Sequence, residues 1–193
     1  MCVNIKSKLS NEINLILSKT ALINTCIEFY KQLIDIKSNQ NYKYSMGENF
    51  FNSVSIAYDY VIVCELAKLY GCNEEKGSLY SILRVCQNNI SLFTNIQEYI
   101  SEVSTELKSV DTQTIKTYRD KYLAHCDKKY FGKSNELQIQ YKFDLDYFSK
   151  LNNYAIKVLS KINSEIQDAV FIYNPNLLSG FDLYKIIEQI PDK

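Results

Sequence analysis

The stretch "ENFFNSVSIAYDYVIVCELAKLY", residues 48 to 70, decides how this chain folds. Phe50, Phe51, Val54, Ala57, Tyr58, Val61, Ile62, Leu66 and Leu69 put apolar side chains on nearly every face of a helix over this span. A helix that is apolar all round is expected to be central and contacted on several sides. "GCNEEKGS" ends it.

Outward from that helix the period stays close to 3.6. Residues 10 to 36 read as a helix from the recurrence of Leu15, Leu22, Ile23, Ile27, Tyr30, Leu33 and Ile34. "KSNQNYKYSMG", 37 to 47, breaks the pattern and reads as a loop. Downstream, Ser78 caps a short helix carrying Leu79, Ile82, Leu83 and Cys86. A further helix over 90 to 108 carries Leu92, Phe93, Ile96, Tyr99, Ile100, Val103 and Leu107. Asp111 caps the next, with Ile115, Tyr118, Tyr122 and Leu123. "KKYFGKSNE" is a loop, and "LQIQYKF", 137 to 143, alternates like a short extended piece. Asp144 caps a long helix to about 172, striped by Leu145, Phe148, Leu151, Ala155, Val158, Leu159, Ile162, Ile166 and Val170. After "NPNLLSG" comes a short amphipathic tail, 181 to 190.

Composition agrees. Five Gly and two Pro in 193 residues are too few for a many-stranded β fold. The expected class is all-α: one domain over 1 to 193, an antiparallel up-and-down bundle of four to five main helices joined by short connections. Its core is placed at about 45 to 172, with the helix over 10 to 36 and the tail over 173 to 193 as extensions.

Charge and cysteine usage exclude several functions. The 22 basic and 22 acidic residues cancel, so only a local patch could attract nucleic acid. Six scattered cysteines with no C-x-x-C pair read as small buried hydrophobes in a reducing compartment. The first 19 residues are too polar for a signal peptide or a membrane span, and a cytoplasmic protein is expected.

The local patch exists. Residues 116 to 133 hold six cations (Lys116, Arg119, Lys121, Lys128, Lys129 and Lys133) against two acids, Asp120 and Asp127. Tyr118, Tyr122, Tyr130 and Phe131 are interleaved with them. Cations for phosphates and rings for bases suit single-stranded nucleic acid. The bland reading of such a run is a solvated face. Within the window lie Arg119 and the chain's only histidine, His125. A histidine titrates near neutrality and can move the proton of an attacking hydroxyl. An arginine fork can hold charge on a phosphate. Six residues of helix separate the two by about 9 Å of rise and about 120° from alignment, so convergence needs arginine's reach, a helix end near His125, or a second subunit. The alternative for His125 is a helix-terminal side chain on the negative end of the dipole. Asp120 and Asp127 alternatively pair with Lys121, Lys128 or Lys129. His125, Cys126 and Asp127 are a poor metal set, because adjacent helical positions do not face one ion, and no cofactor is expected.

"RDKYLAHCD" resembles the signature of HEPN domains, and is most similar to their abortive-infection, U-type branch, where such a run continues as Ala-His-x-Asp. "AYDYVIVCELAKLYGCNEEKGSLYSIL" is similar to the preceding helix pair of that branch. The resemblance covers about 45 to 170. It implies an antiparallel helical bundle and, in many members, a metal-independent endoribonuclease leaving cyclic phosphate ends, used as a toxin or antiviral effector. Arg and His would line a composite cleft between the two subunits of a homodimer. Carried over by position, Arg119 is the phosphate-binding arginine, His125 the catalytic histidine and Asp120 the polar residue orienting them. RNA contact falls to Lys116, Lys121, Tyr122, Lys128 and Lys129. RNA is the expected partner, beside a second copy and an antitoxin or other defence component; no membrane is expected. The branch paired with a nucleotidyltransferase antitoxin has four residues between Arg and His and a tyrosine two after the His. Here the gap is five and the position is Asp127, so control by modification of that tyrosine is not expected. The rival readings are a non-catalytic HEPN-like module binding RNA, nucleotide or protein, and a purely structural helical protein.

Overall fold

The computed structural model describes residues 2–39, 41–71, 76–120, 144–167 and 183. Among them are seven α-helices: α1 (Cys2–Asn39), α2 (Asn41–Met46), α3 (Glu48–Leu69), α4 (Leu79–Asn88), α5 (Gln97–Ser109), α6 (Gln113–Tyr118) and α7 (Leu145–Gln167). The described residues contain no strand, and the fold is an all-α bundle. The expected extended piece at 137–143 and most of the expected tail helix lie outside the described residues.

Hydrogen bonds between buried side chains set the directions. Asn163 on α7 donates to Asn14 at 2.9 Å and accepts from the Ser10 hydroxyl at 3.0 Å. Eleven residues earlier, Asn152 donates to the Thr20 carbonyl at 2.9 Å and to Asn24 at 2.6 Å. Numbers rise on α1 as they fall on α7, so these helices run antiparallel. α3 also opposes α1: Lys19 meets Glu65 at 3.6 Å, and the Phe29 ring stacks on Tyr58. α4 and α5 form a hairpin closed by the Tyr80 hydroxyl on the Leu107 carbonyl, 3.1 Å. Asn95 and Glu165, with Glu106 and Tyr154, align α5 against α7.

The main core draws Ile13, Leu17, Ile23 and Ile27 from α1, Ile62, Val63 and Leu66 from α3, Leu79, Ile82 and Leu83 from α4, Ile100 and Leu107 from α5, and Phe148, Val158 and Leu159 from α7. A second cluster joins Phe29, Leu33 and Ile36 to Tyr44 of α2, Phe51 and Leu183. Leu183 is held there by its N–H on Gln32, 3.2 Å. Cys26 and Cys86 are buried, and burial pushes their thiols up to about 11 and about 12, as expected of cysteines used as hydrophobes.

Several boundaries differ from the sequence reading. α1 runs from residue 2 to 39, and it turns Leu15, Leu22 and Ile34 to solvent. Its apolar residues satisfy helical spacing in more than one phase, and α7 and α3 choose the buried one. The expected loop at 37–47 is largely helix, because Tyr44 is buried on Phe51, ring centroids 5.1 Å apart, with Lys37 over the Tyr44 ring. Packing of one aromatic outweighs the polar local composition. The expected helix at 90–108 begins only at Gln97, after a 3₁₀ turn at Ile90–Leu92. There Asn89 donates its side chain back to the Val85 carbonyl, 2.9 Å, competing with helix continuation. α3 is not contacted all round: Phe50, Ile56 and Tyr60 lie exposed, and its core contacts concentrate in the half after Val61.

The caps follow the sequence. Ser78 accepts from the Ser81 N–H at 3.1 Å, and Asp144 accepts from the N–H groups of Asp146 and Tyr147. Asp111 accepts from Gln113 at 2.9 Å, although the cap position itself falls on Thr112. Before α4, Gly77 takes φ +80°, where an L side chain is strained, and donates its N–H to Glu12 of α1 at 3.2 Å.

Candidate nucleic-acid site at the end of α6

α6 is a six-residue helix whose Ile115, Thr117 and Tyr118 face inward while Lys116 faces solvent. Ile115 is fully covered by the core, which fixes the rotation of the helix. At Arg119 and Asp120 the backbone widens to π geometry. Such single wide turns occur frequently at functional sites. Lys116 and Arg119 are three apart and therefore neighbours on the outer side.

Arg119 donates its Nε–H to Asp120 Oδ1 at 2.7 Å, with the Arg119 side chain 35% exposed and that of Asp120 52% exposed. The bond fixes the plane of the guanidinium. Held in one orientation, a fork of donors meets a phosphate with less rotamer entropy to lose. The sequence reading placed Asp120 as the residue orienting the pair, and its carboxylate does contact Arg119.

The chain leaves the described structure after Asp120 and rejoins it at Asp144. His125, Lys121, Tyr122, Lys128 and Lys129 fall between and lie outside the described residues, as does the set His125, Cys126 and Asp127. The two ends of that interval are tied together. The Tyr118 ring meets the Phe148 ring edge-on, centroids 6.2 Å apart. The Tyr147 hydroxyl donates to the Asp111 carbonyl. Burial, and then the charge of Asp111, push the Tyr147 phenol up to about 12, so it remains a donor at neutral pH. The described residues on either side of 121–143 are thus tied together at one end of the bundle. The motif window showed no sign of Tyr147 or Phe148, because their role rests on contacts between distant parts of the chain.

A tyrosine group flanks this end. Tyr70 donates to the Leu151 carbonyl at 2.6 Å, and Tyr154 donates to Glu106 at 3.2 Å. Burial raises both phenols, and Glu106 raises Tyr154 further. These hydroxyls face internal partners, which makes them parts of the bundle. Among the described residues, no three His, Cys, Asp or Glu side chains are grouped to hold a metal ion.

The described residues thus form an all-α antiparallel bundle in which the Arg119–Asp120 pair ends a short helix. The chain belongs to the AbiU2 family of HEPN domains, whose model matches residues 6–180. The match takes in α1, which the sequence resemblance left outside. None of the curated proteins and none of the solved structures searched matches the chain.

Proposed function

We propose that this protein is a metal-independent endoribonuclease acting as an abortive-infection effector or toxin, with RNA cut at a composite site between two subunits. The observation that carries the reading is Arg119, locked by Asp120 on the outer side of α6, in a chain of the AbiU2 family. In this reading Arg119 holds the phosphate and stabilises the charge that builds on its oxygens. His125 takes the proton of the ribose 2′-hydroxyl as its oxygen attacks phosphorus. The 5′-oxygen of the next nucleotide leaves and takes up a proton, giving a cyclic phosphate and a 5′-hydroxyl. Asp120 positions the guanidinium. Lys116, with Lys121, Tyr122, Lys128 and Lys129, carries the flanking strand.

The test is cleavage of total RNA and tRNA by purified protein in the presence of chelator, beside Arg119→Ala and His125→Ala. Chelator-resistant cutting that both variants lose supports the reading. Cutting that both variants retain overturns the site. RNA binding without cutting by the unmutated protein assigns it instead to a non-catalytic binding module.

A further inference from the structure

The solvent face of α7 carries charge of one sign. Lys150, Asn153, Lys157, Lys161 and Ser164 are all exposed. Their spacing puts them within about 80° of the helix, opposite the buried Phe148, Ala155, Leu159 and Ile162. The three lysines span about 16 Å along the axis. Between Asp146 and Glu165 the helix holds no acid at all, in a chain whose 22 basic and 22 acidic residues cancel.

A solvated helix face ordinarily interleaves both signs. The other long helices do so: Lys31 pairs with Glu28 on α1, and Lys68 with Glu65 on α3. Lys150, Lys157 and Lys161 pair with no carboxylate among the described residues. Glu165, the nearest acid beyond them on α7, is turned to Asn95 of α5 at 2.8 Å. Unpaired cations aligned along one helix face are the footprint of a polyanion.

Two further placements say which polyanion. Half-buried Tyr147 and Tyr154 border the stripe on its α5 side. Their hydroxyls are taken by the Asp111 carbonyl and Glu106, but both residues stay partly open beside the lysines. Cations bordered by aromatic rings suit a single strand, with phosphates on the charges and bases against the rings. The stripe also begins where Arg119 lies. Tyr118, the residue before Arg119, meets the ring of Phe148, two positions before Lys150. From there the lysines lead away along α7.

We infer that the outer face of α7 is a track for single-stranded RNA, with Lys150, Lys157 and Lys161 holding phosphates of the strand that reaches Arg119. The link to Arg119 rests on the nuclease reading above, while the track is argued from α7 itself.

The test is fluorescence anisotropy of a labelled, 2′-O-methylated single-stranded RNA, which cannot form a cyclic phosphate and so stays whole. Affinity is measured across a salt series for the unmutated full chain and for Lys150→Gln, Lys157→Gln and Lys161→Gln combined. A single-strand phosphate contact contributes about 0.7 to the slope of log affinity against log salt. The triple variant should therefore lower that slope by about 2 and weaken binding about 10²-fold at about 0.1 M salt. Its thermal melt should be unchanged, since all three side chains are exposed. Lys8→Gln, Lys31→Gln and Lys68→Gln combined remove the same charge elsewhere and should keep the slope. No RNA binding by the unmutated protein, an unchanged slope in the α7 variant, or an equal fall in the control would each overturn the inference. Flotation with phosphatidylserine vesicles that the α7 variant alone loses, at unchanged RNA affinity, would overturn it too and give the face to an anionic membrane. Cleavage of unmodified RNA is read separately. Binding along α7 without cutting sinks the nuclease reading and leaves the track standing, and cutting with full affinity in the α7 variant does the reverse.

Discussion

Tyr147 at the start of α7 donates its hydroxyl hydrogen to the carbonyl of Asp111 just before α6, closing the bundle across the two ends of the motif-bearing segment. Beside it, Tyr118 and Phe148 pack at 81°. The residue preceding Arg119 is thereby anchored to the helix on which the chain returns. Tyr147→Phe keeps the ring and removes the hydrogen bond. The expected cost is about 0.5–1.5 kcal/mol, read as a fall in melting temperature of about 2–4 °C per kcal/mol. A melting temperature equal to that of the unmutated protein would show that the tie contributes nothing.

The Arg119–Asp120 pair is partly solvent-exposed, and pairs near the surface contribute about 0–1 kcal/mol to stability. Arg119→Ala should therefore leave the melting temperature nearly unchanged while lowering RNA cleavage by about 10²–10³-fold, the usual loss when one group stabilising developing charge is removed. Arg119→Lys should not restore the rate, because a point charge lacks the planar fork. Asp120→Ala should retain RNA binding with reduced cleavage. Single-turnover cleavage with matched thermal melts checks all three, and full activity in Arg119→Lys would argue against bidentate phosphate contact.

Asn163 is fully buried between α1 and α7 and satisfies both Ser10 and Asn14. Asn163→Ala removes two hydrogen bonds at once, one from the Ser10 hydroxyl and one to Asn14, at about 0.5–1.5 kcal/mol each. Chemical denaturation should show the midpoint falling with the slope unchanged. A neutral result would mean that water reaches the seam.

Asp59 on α3 has its Oδ1 buried, and burial lifts the carboxyl to about 7 against the opposing pull of the Tyr30 hydroxyl on α1. Between about pH 4 and pH 7 the folded protein keeps a proton there that the unfolded chain has released. Stability through this group is therefore greatest below pH 4, falls as pH rises to 7, and is flat above. Asp59→Asn, which cannot ionise, should melt above the unmutated protein at pH 8, with the difference shrinking towards pH 5. Parallel melts across that range decide it, and a pH-independent difference would remove the ionisation from the account.

Much of this molecule follows from the chain read alone. Apolar residues at helical spacing, the scarcity of Gly and Pro, and the caps at Ser78 and Asp144 are local signals, and local hydrogen bonding and burial enforce them wherever the helix lies. "RDKYLAHCD" and the preceding helix pair likewise carry the resemblance to the family because they are contiguous, and the family model matches residues 6–180. Tertiary structure decided what spacing leaves degenerate. α1 is apolar enough to bury more than one stripe, and contact with α7 and α3 selected Ile13, Leu17 and Ile23 over Leu15, Leu22 and Ile34. α3 looks equally apolar all round, yet its neighbours cover one side only, leaving Phe50, Ile56 and Tyr60 open. The tie between Tyr147 and Asp111 joins residues 36 positions apart, and no local pattern encodes a bond whose partners meet only when the helices pack.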